Sequence, residues 1–191
     1  MYLNIKSIGW ALKSETDNNG LSSLTKHLSK VFENHVDAEI NDYKGLPPLE
    51  LFDRQRKQWI SDKILKWLLA KENPDPNTKI LAICNFDAYT DGLNFVLGEA
   101  HTKGGVAAIY LPRLEEEFYG QKKDNKIFYK RVIKESVHEL GHSFGLKHCE
   151  NRRCIMHFSN SIEDTDIKED VLCKNCNYIF RNLYMHSNDC F

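Results

Sequence analysis

No apolar run in this sequence approaches the roughly 20 residues a helix needs to cross a bilayer. The opening stretch, MYLNIKSIGWALKSETD, lacks a basic segment followed by an apolar one and a small-residue cleavage site. The expectation is a soluble, cytoplasmic protein with no membrane partner. Neither sign of charge dominates: 26 Lys and Arg stand against 27 Asp and Glu, a net charge of -1. A broad electropositive face is therefore not expected, and nucleic acid is not an expected partner. Internal repeats and low-complexity segments are absent as well. With 191 residues, 41% of them apolar, the chain can form one core with a small appendage but not two full domains.

Histidine and cysteine are scarce but concentrated. The chain has eight histidines and six cysteines, and HELGHSFGLKHCENRRCIM, residues 138 to 156, holds three of the former and two of the latter. Without an export signal, cysteines point to metal binding or reduced thiols rather than disulfides, because a reducing compartment keeps them reduced.

Apolar periodicity outlines the framework. YLNIKSIGWAL reads as a strand, and Leu24, Leu28, Val31 and Phe32 line one helix face. Alternation of Val36, Ala38 and Ile40 marks a half-buried strand, and Ile60, Ile64, Trp67 and Leu68 a second helix. KILAICNF is a continuous apolar run, as in a strand covered on both faces, and Cys84 within it reads as a small core hydrophobe. This β-α-β-α-β order predicts a largely parallel sheet with right-handed crossovers. LNFVLGEA and GGVAAIYL suggest two more strands around Gly104-Gly105. A third helix is predicted from Asn125 to Phe144, stopped by Gly145 in the left-handed conformation. Residues 1–145 then form an α/β part ending in this helix, and 146–191 a smaller cysteine-bearing part of one compact domain.

On the third helix, His138 and His142 are four residues apart, so both imidazoles leave the same face and can grip one ion. Gly145 allows a reversal that returns His148 as third ligand. Three neutral imidazoles leave a zinc ion its full charge and one open position, the arrangement of a hydrolytic site. Glu139 lies about 100° around the helix from His138. It is placed to act as general base on the attacking water and to pass the proton to a leaving amine.

Cys149 and Cys154 make one close pair, and Cys173 and Cys176 another, in the form C-x-x-C. Two such pairs suit a closed, structural four-cysteine zinc site. In an extended stretch successive side chains face opposite ways, so His148 can serve the first ion while Cys149 serves the second. Two zinc ions per chain are expected.

The string His138-Glu139-x-x-His142-x-x-Gly145-x-x-His148-Cys149, then Cys154-x-Met156, then Cys173-x-x-Cys176, resembles the signature of the archaemetzincins, within the metzincin clan of zinc peptidases. The resemblance implies a metzincin-like twisted mixed sheet with packed helices, a catalytic zinc on the three histidines, Glu139 as base and a structural zinc on the cysteines. It also implies a Met-turn placing Met156 beneath the catalytic ion; read alone, Met156 is core packing. Metzincins bind an extended peptide along an edge strand. GGVAAIYLPRL is the candidate edge, with Pro112 suited to it, an internal strand being the other reading.

Other residues receive plainer readings. Tyr119 and Tyr129 read as structural, and His157 as a possible cleft residue. Lys126, Lys130 and Lys134 share a helix face that reads as solvated. IEDTDIKED reads as linker, Cys190 as a free thiol, and His27, His35, His101 and His186 carry no role. The functional reading is a zinc-dependent metallopeptidase acting on a peptide or protein. The alternatives are a zinc-stabilised peptide-binding module with little turnover, or hydrolysis of a non-peptide amide on the same ion.

Overall fold

The structure, a computed structural model, describes residues 2–8, 17–33, 37–43 and 45–188; His35 and Cys190 lie outside them. In chain order, β1 is Tyr2–Ile8, α1 Asp17–Val31, β2 Asp37–Tyr43, β3 Phe52–Asp53, β4 Gln58–Ile60, α2 Ser61–Glu72 and β5 Thr78–Cys84. There follow β6 Ala88–Tyr89, β7 Gly98–His101, β8 Val106–Tyr110, α3 Asn125–Ser143, α4 Ile162–Ile167 and α5 Lys174–Asn188.

Five strands form the main sheet in the order β2-β1-β5-β8-β7, and β3, β4 and β6 form a small second sheet. β1 pairs in parallel with β2 and β5, and β5 with β8; β7 runs antiparallel to β8. The expected β-α-β-α-β succession is present, and the sheet is mixed because its last strand returns by a tight turn.

Both faces of this sheet are covered, for a reason visible in the strand sequences. Along β5, Leu81 and Ile83 enter one core while Ile80, Ala82 and Cys84 enter another. β8 divides likewise, Ala107 and Ile109 against Val106, Ala108 and Tyr110. Successive side chains of a strand point to opposite faces, so a strand buried twice must be apolar throughout. The first core also takes in α1 and α3, the second α2. Each fully buried Leu or Ile contributes about 1.5–3 kcal/mol, which ties these helices to the sheet.

Of the two readings of GGVAAIYLPRL the internal strand holds: it contains β8, flanked by β5 and β7, and the sheet's edge strands are β2 and β7. Two expectations are corrected. Of LNFVLGEA only its last part belongs to β7. IEDTDIKED is no plain linker: it contains α4, whose Ile162 and Thr165 are buried. Among the described residues no helix is long and apolar enough to cross a membrane.

Candidate metal centres and cleft

Helix α3 is set at both ends by its sequence. Asp124 caps its start, the carboxylate accepting from the N–H groups of Lys126 (2.8 Å) and Ile127 (3.0 Å). At the other end Gly145 has φ +94°, its N–H donates to the His142 carbonyl and that of Leu146 to the Gly141 carbonyl. This pair of bonds is a Schellman closure, and it turns the chain back toward the helix as expected.

That reversal brings His148 to His138 and His142. Ligand atoms of the three all lie within 4.8 Å of one another. The Nδ1 of His138 faces the Ile155 carbonyl at 2.7 Å, and that of His142 the Leu146 carbonyl at 2.8 Å. A carbonyl only accepts, so both Nδ1 atoms carry the proton and both Nε2 lone pairs are free. These two Nε2 atoms are 3.1 Å apart. Zinc–nitrogen bonds of about 2.0–2.1 Å in tetrahedral geometry require a separation of roughly 3.3 Å, so the residues present fit a zinc ion. Burial, joined by the Lys168 ammonium and neighbouring imidazoles, holds His138 well below its ordinary pKa. His142 and His148 are also lowered, again chiefly by burial. All three are therefore neutral, as ligands must be.

Glu139 is 5% exposed and points toward β7. Burial, reinforced by Glu135, pushes its carboxyl well above the ordinary range, and Lys168 partly opposes this. The histidines and Glu139 line a cleft of about 520 Å³, with Leu97 and Gly98 on one side and Phe158, Ser159 and Asn160 on the other. The Phe158 ring stands edge-on to His148, centroids 5.0 Å apart.

The four cysteines form the second group, one sulfur from each within 4.8 Å of the others. Cys149 and Cys173 have their sulfurs 3.9 Å apart. Four thiolates around zinc, with bonds near 2.3 Å, lie about 3.8 Å from one another, so this set fits as well. Burial pushes the Cys154 thiol up to about 11 and Cys176 higher. Burial acts on Cys173 in the same sense but is outweighed by hydrogen bonds from the Cys176 N–H and nearby thiols, leaving it lowered. Ionising all four together calls for a cation at their centre.

The two groups share a backbone joint. The Cys149 N–H donates to the Met156 carbonyl (2.9 Å), and the His157 ring donates to the Cys149 carbonyl (2.7 Å). His157 thus braces this joint and is not among the residues lining the cleft. Met156 is fully buried, its sulfur packed against the α carbon side of Gly141.

Sequence reading missed the supports behind the cleft. Lys134 is not solvated: its ammonium donates to the carbonyls of Thr165 (3.0 Å) and Asp166 (2.8 Å). Arg131 forms a two-pronged pair with Asp166 and also meets Glu116. Lys168, with its side chain 0% exposed, pairs with Glu135 at 3.3 Å and donates to the His157 carbonyl at 3.4 Å. Arg131, Lys134 and Glu135 of α3 therefore grip the α4 segment and the residue after it. Tyr119 is structural as expected, donating to the Arg113 carbonyl.

Known proteins resemble this chain in sequence and fold. The profile of peptidase family M54 matches residues 46–182. An archaemetzincin of Saccharolobus islandicus is 43% identical over 148 residues, 78% of this chain and 79% of that protein. One from Pyrococcus furiosus is 46% identical over 125 residues, 65% of each chain. Among solved structures, an archaemetzincin from Methanopyrus kandleri superposes with a TM-score of 0.82 at 26% identity, covering 97% of this chain and 96% of that one. A zinc-dependent peptidase from Methanocorpusculum labreanum gives 0.80 at 29% identity, over 93% and 99%. By sequence and fold the chain thus falls within the zinc metalloproteases. The chain belongs to peptidase family M54, the archaemetzincins.

Proposed function

We propose that the chain hydrolyses peptide bonds, with His138, His142 and His148 holding a catalytic zinc, Glu139 as general base, and Cys149, Cys154, Cys173 and Cys176 holding a structural zinc. The observation that carries this reading is the convergence of three neutral imidazoles on one point of an open cleft that a buried carboxylate also lines. When bound there, zinc acidifies a water and polarises the scissile carbonyl.

The chain's own groups do the rest. The Glu139 carboxylate accepts the proton of the attacking water and returns it to the leaving amine nitrogen. Burial, which raises its pKa, favours holding that proton until the leaving nitrogen takes it. Among the described residues β7 pairs only with β8, so its outer edge offers backbone groups to an extended peptide. Nδ1 bonds to Ile155 and Leu146 hold two ligand rings in orientation and tautomer. Met156 is a packing platform under α3, the Met-turn of the family. Residues 1–145 and 146–191 act as two parts of one catalytic domain, joined at the reversal.

The test is a digest of a diverse peptide library by the zinc-loaded protein, run beside Glu139→Gln and read by mass spectrometry. Cleavage by the first alone is expected. Cleavage by neither, with zinc bound in both, overturns the peptidase reading and leaves a peptide-binding module.

A further inference from the structure

Gly98 opens β7 at the point where Glu139 meets the sheet. A Cβ built on Gly98 would lie 2.6 Å from Glu139 Cγ, 2.7 Å from Oε1 and 2.9 Å from Cδ. Carbon atoms not bonded to one another rest at about 3.5–4.0 Å, so no side chain fits there with Glu139 as it stands. The backbone does not demand glycine at this position, because Gly98 is not among the residues with positive φ. Nor does the strand exclude side chains on this face: Ala100, two residues on, packs its methyl into the core shared with α3. Only the carboxylate explains the missing side chain.

We infer that Gly98 is a positioning residue for the reaction, its bare α carbon forming the notch that holds the Glu139 side chain between α3 and the substrate-binding edge. The inference rests on Glu139 as general base. Its mechanism is steric. Cγ is the atom nearest the notch, and χ1 alone sets where Cγ lies, so bending the far end of the side chain relieves nothing. A helical residue has two well-populated χ1 wells, about 120° apart. With Gly98 present Glu139 occupies the well that lays it along β7; with a methyl there it must leave for the other or push the strand away. Either change moves a proton-transfer group relative to the histidine cluster and the peptide edge. Displacement of about 1 Å in such a group costs on the order of 100-fold in rate.

The experiment is a cycle of four proteins: the parent, Gly98→Ala, Glu139→Ala and the double variant, with Glu139→Gln as control for the base. In the zinc-loaded Gly98→Ala protein, zinc content stays at the parent's level, KM changes by less than about threefold, and kcat falls roughly 100-fold. In the same zinc-loaded proteins, Gly98→Ala lowers Tm by about 3–8 °C when Glu139 is present and by about 1 °C or less when residue 139 is alanine, because the clash is then gone. An equal fall in Tm in both backgrounds overturns the notch. So does unchanged kcat in Gly98→Ala while Glu139→Gln is inactive. Full turnover by Glu139→Gln instead removes Glu139 as base, a separate failure that the Tm cycle leaves legible as packing alone.

Discussion

His148 and Cys149 are adjacent in the chain, yet each belongs to a cluster organised on a different principle. Two of the three histidines stand one turn apart on a capped helix that the core of the protein already holds in place. The cysteines come from a loop, Cys149 to Cys154, and from the start of α5, and no single element carries all four. A site on a rigid helix exists before its ion arrives. A site drawn from a loop and a helix start has less support from any one element, so where such a site binds an ion, much of the binding energy is folding energy. The first cluster opens onto a cleft; the second brings together four cysteines, the donor set of a structural zinc site.

The largest expected effect breaks the second cluster. Cys176→Ser should lower Tm by more than about 10 °C, since closed zinc sites contribute many kcal/mol to folding. Because Cys149 is bonded through its backbone to Met156 and His157, zinc affinity at the histidines should fall as well. Calorimetry and competition with a chromophoric chelator measure the two. Undiminished affinity at the histidines in Cys173→Ser or Cys176→Ser would mean that the clusters are independent.

Next comes the buried pair behind the cleft. Lys168→Met leaves the Glu135 carboxylate, 3% exposed, without its cation, at a cost of about 3–5 kcal/mol. The double replacement Glu135→Met with Lys168→Met should recover most of this, as urea unfolding of the metal-free proteins will show. If the single and double variants are equally weak, the pair's charges are not what matters.

Acid should distinguish the clusters more gently. The histidines of the first have folded pKa values below their unfolded value near 6.5, so the unfolded chain binds more protons in that window. Their contribution to metal-free stability is complete above about pH 7.5 and is lost as the pH falls below 6.5. Glu139 acts in the opposite sense: its raised pKa makes the folded state the better proton binder above about pH 4.5, so stability declines as pH rises through its folded value. Tm against pH in Glu139→Gln removes that opposing contribution, and a steeper fall between pH 7 and 5 than in the parent is expected.

The smallest effect sits at the reversal that joins the clusters. Gly145→Ala places a β carbon on a residue with φ +94°, which costs about 1 kcal/mol and some 2–4 °C in Tm. An unchanged Tm would show that the turn relaxes to another conformation.

The residues of both clusters were legible because local geometry dictates them. Helical spacing puts His138 and His142 on one face, glycine at 145 permits the return, and two cysteine pairs can close on one ion. Legibility failed where a neighbour far along the chain decides the outcome. Lys134 looks like any exposed lysine of a polar stripe until α4 is folded over it. β8 looks like an edge because Pro112 follows it, but the antiparallel return of β7 covers that side. Gly98 reads as one small residue among several, and only the approach of α3 shows that a carboxylate occupies its missing side chain.

Sequence by itself determined which atoms can bind a metal, which glycine turns the chain between them and which strand is buried on both faces, because these follow from helical and strand periods and from side-chain chemistry. Tertiary structure alone decided which strand is the free edge, which charges are buried together and where Glu139 rests, because each depends on segments brought together by packing across the whole sheet.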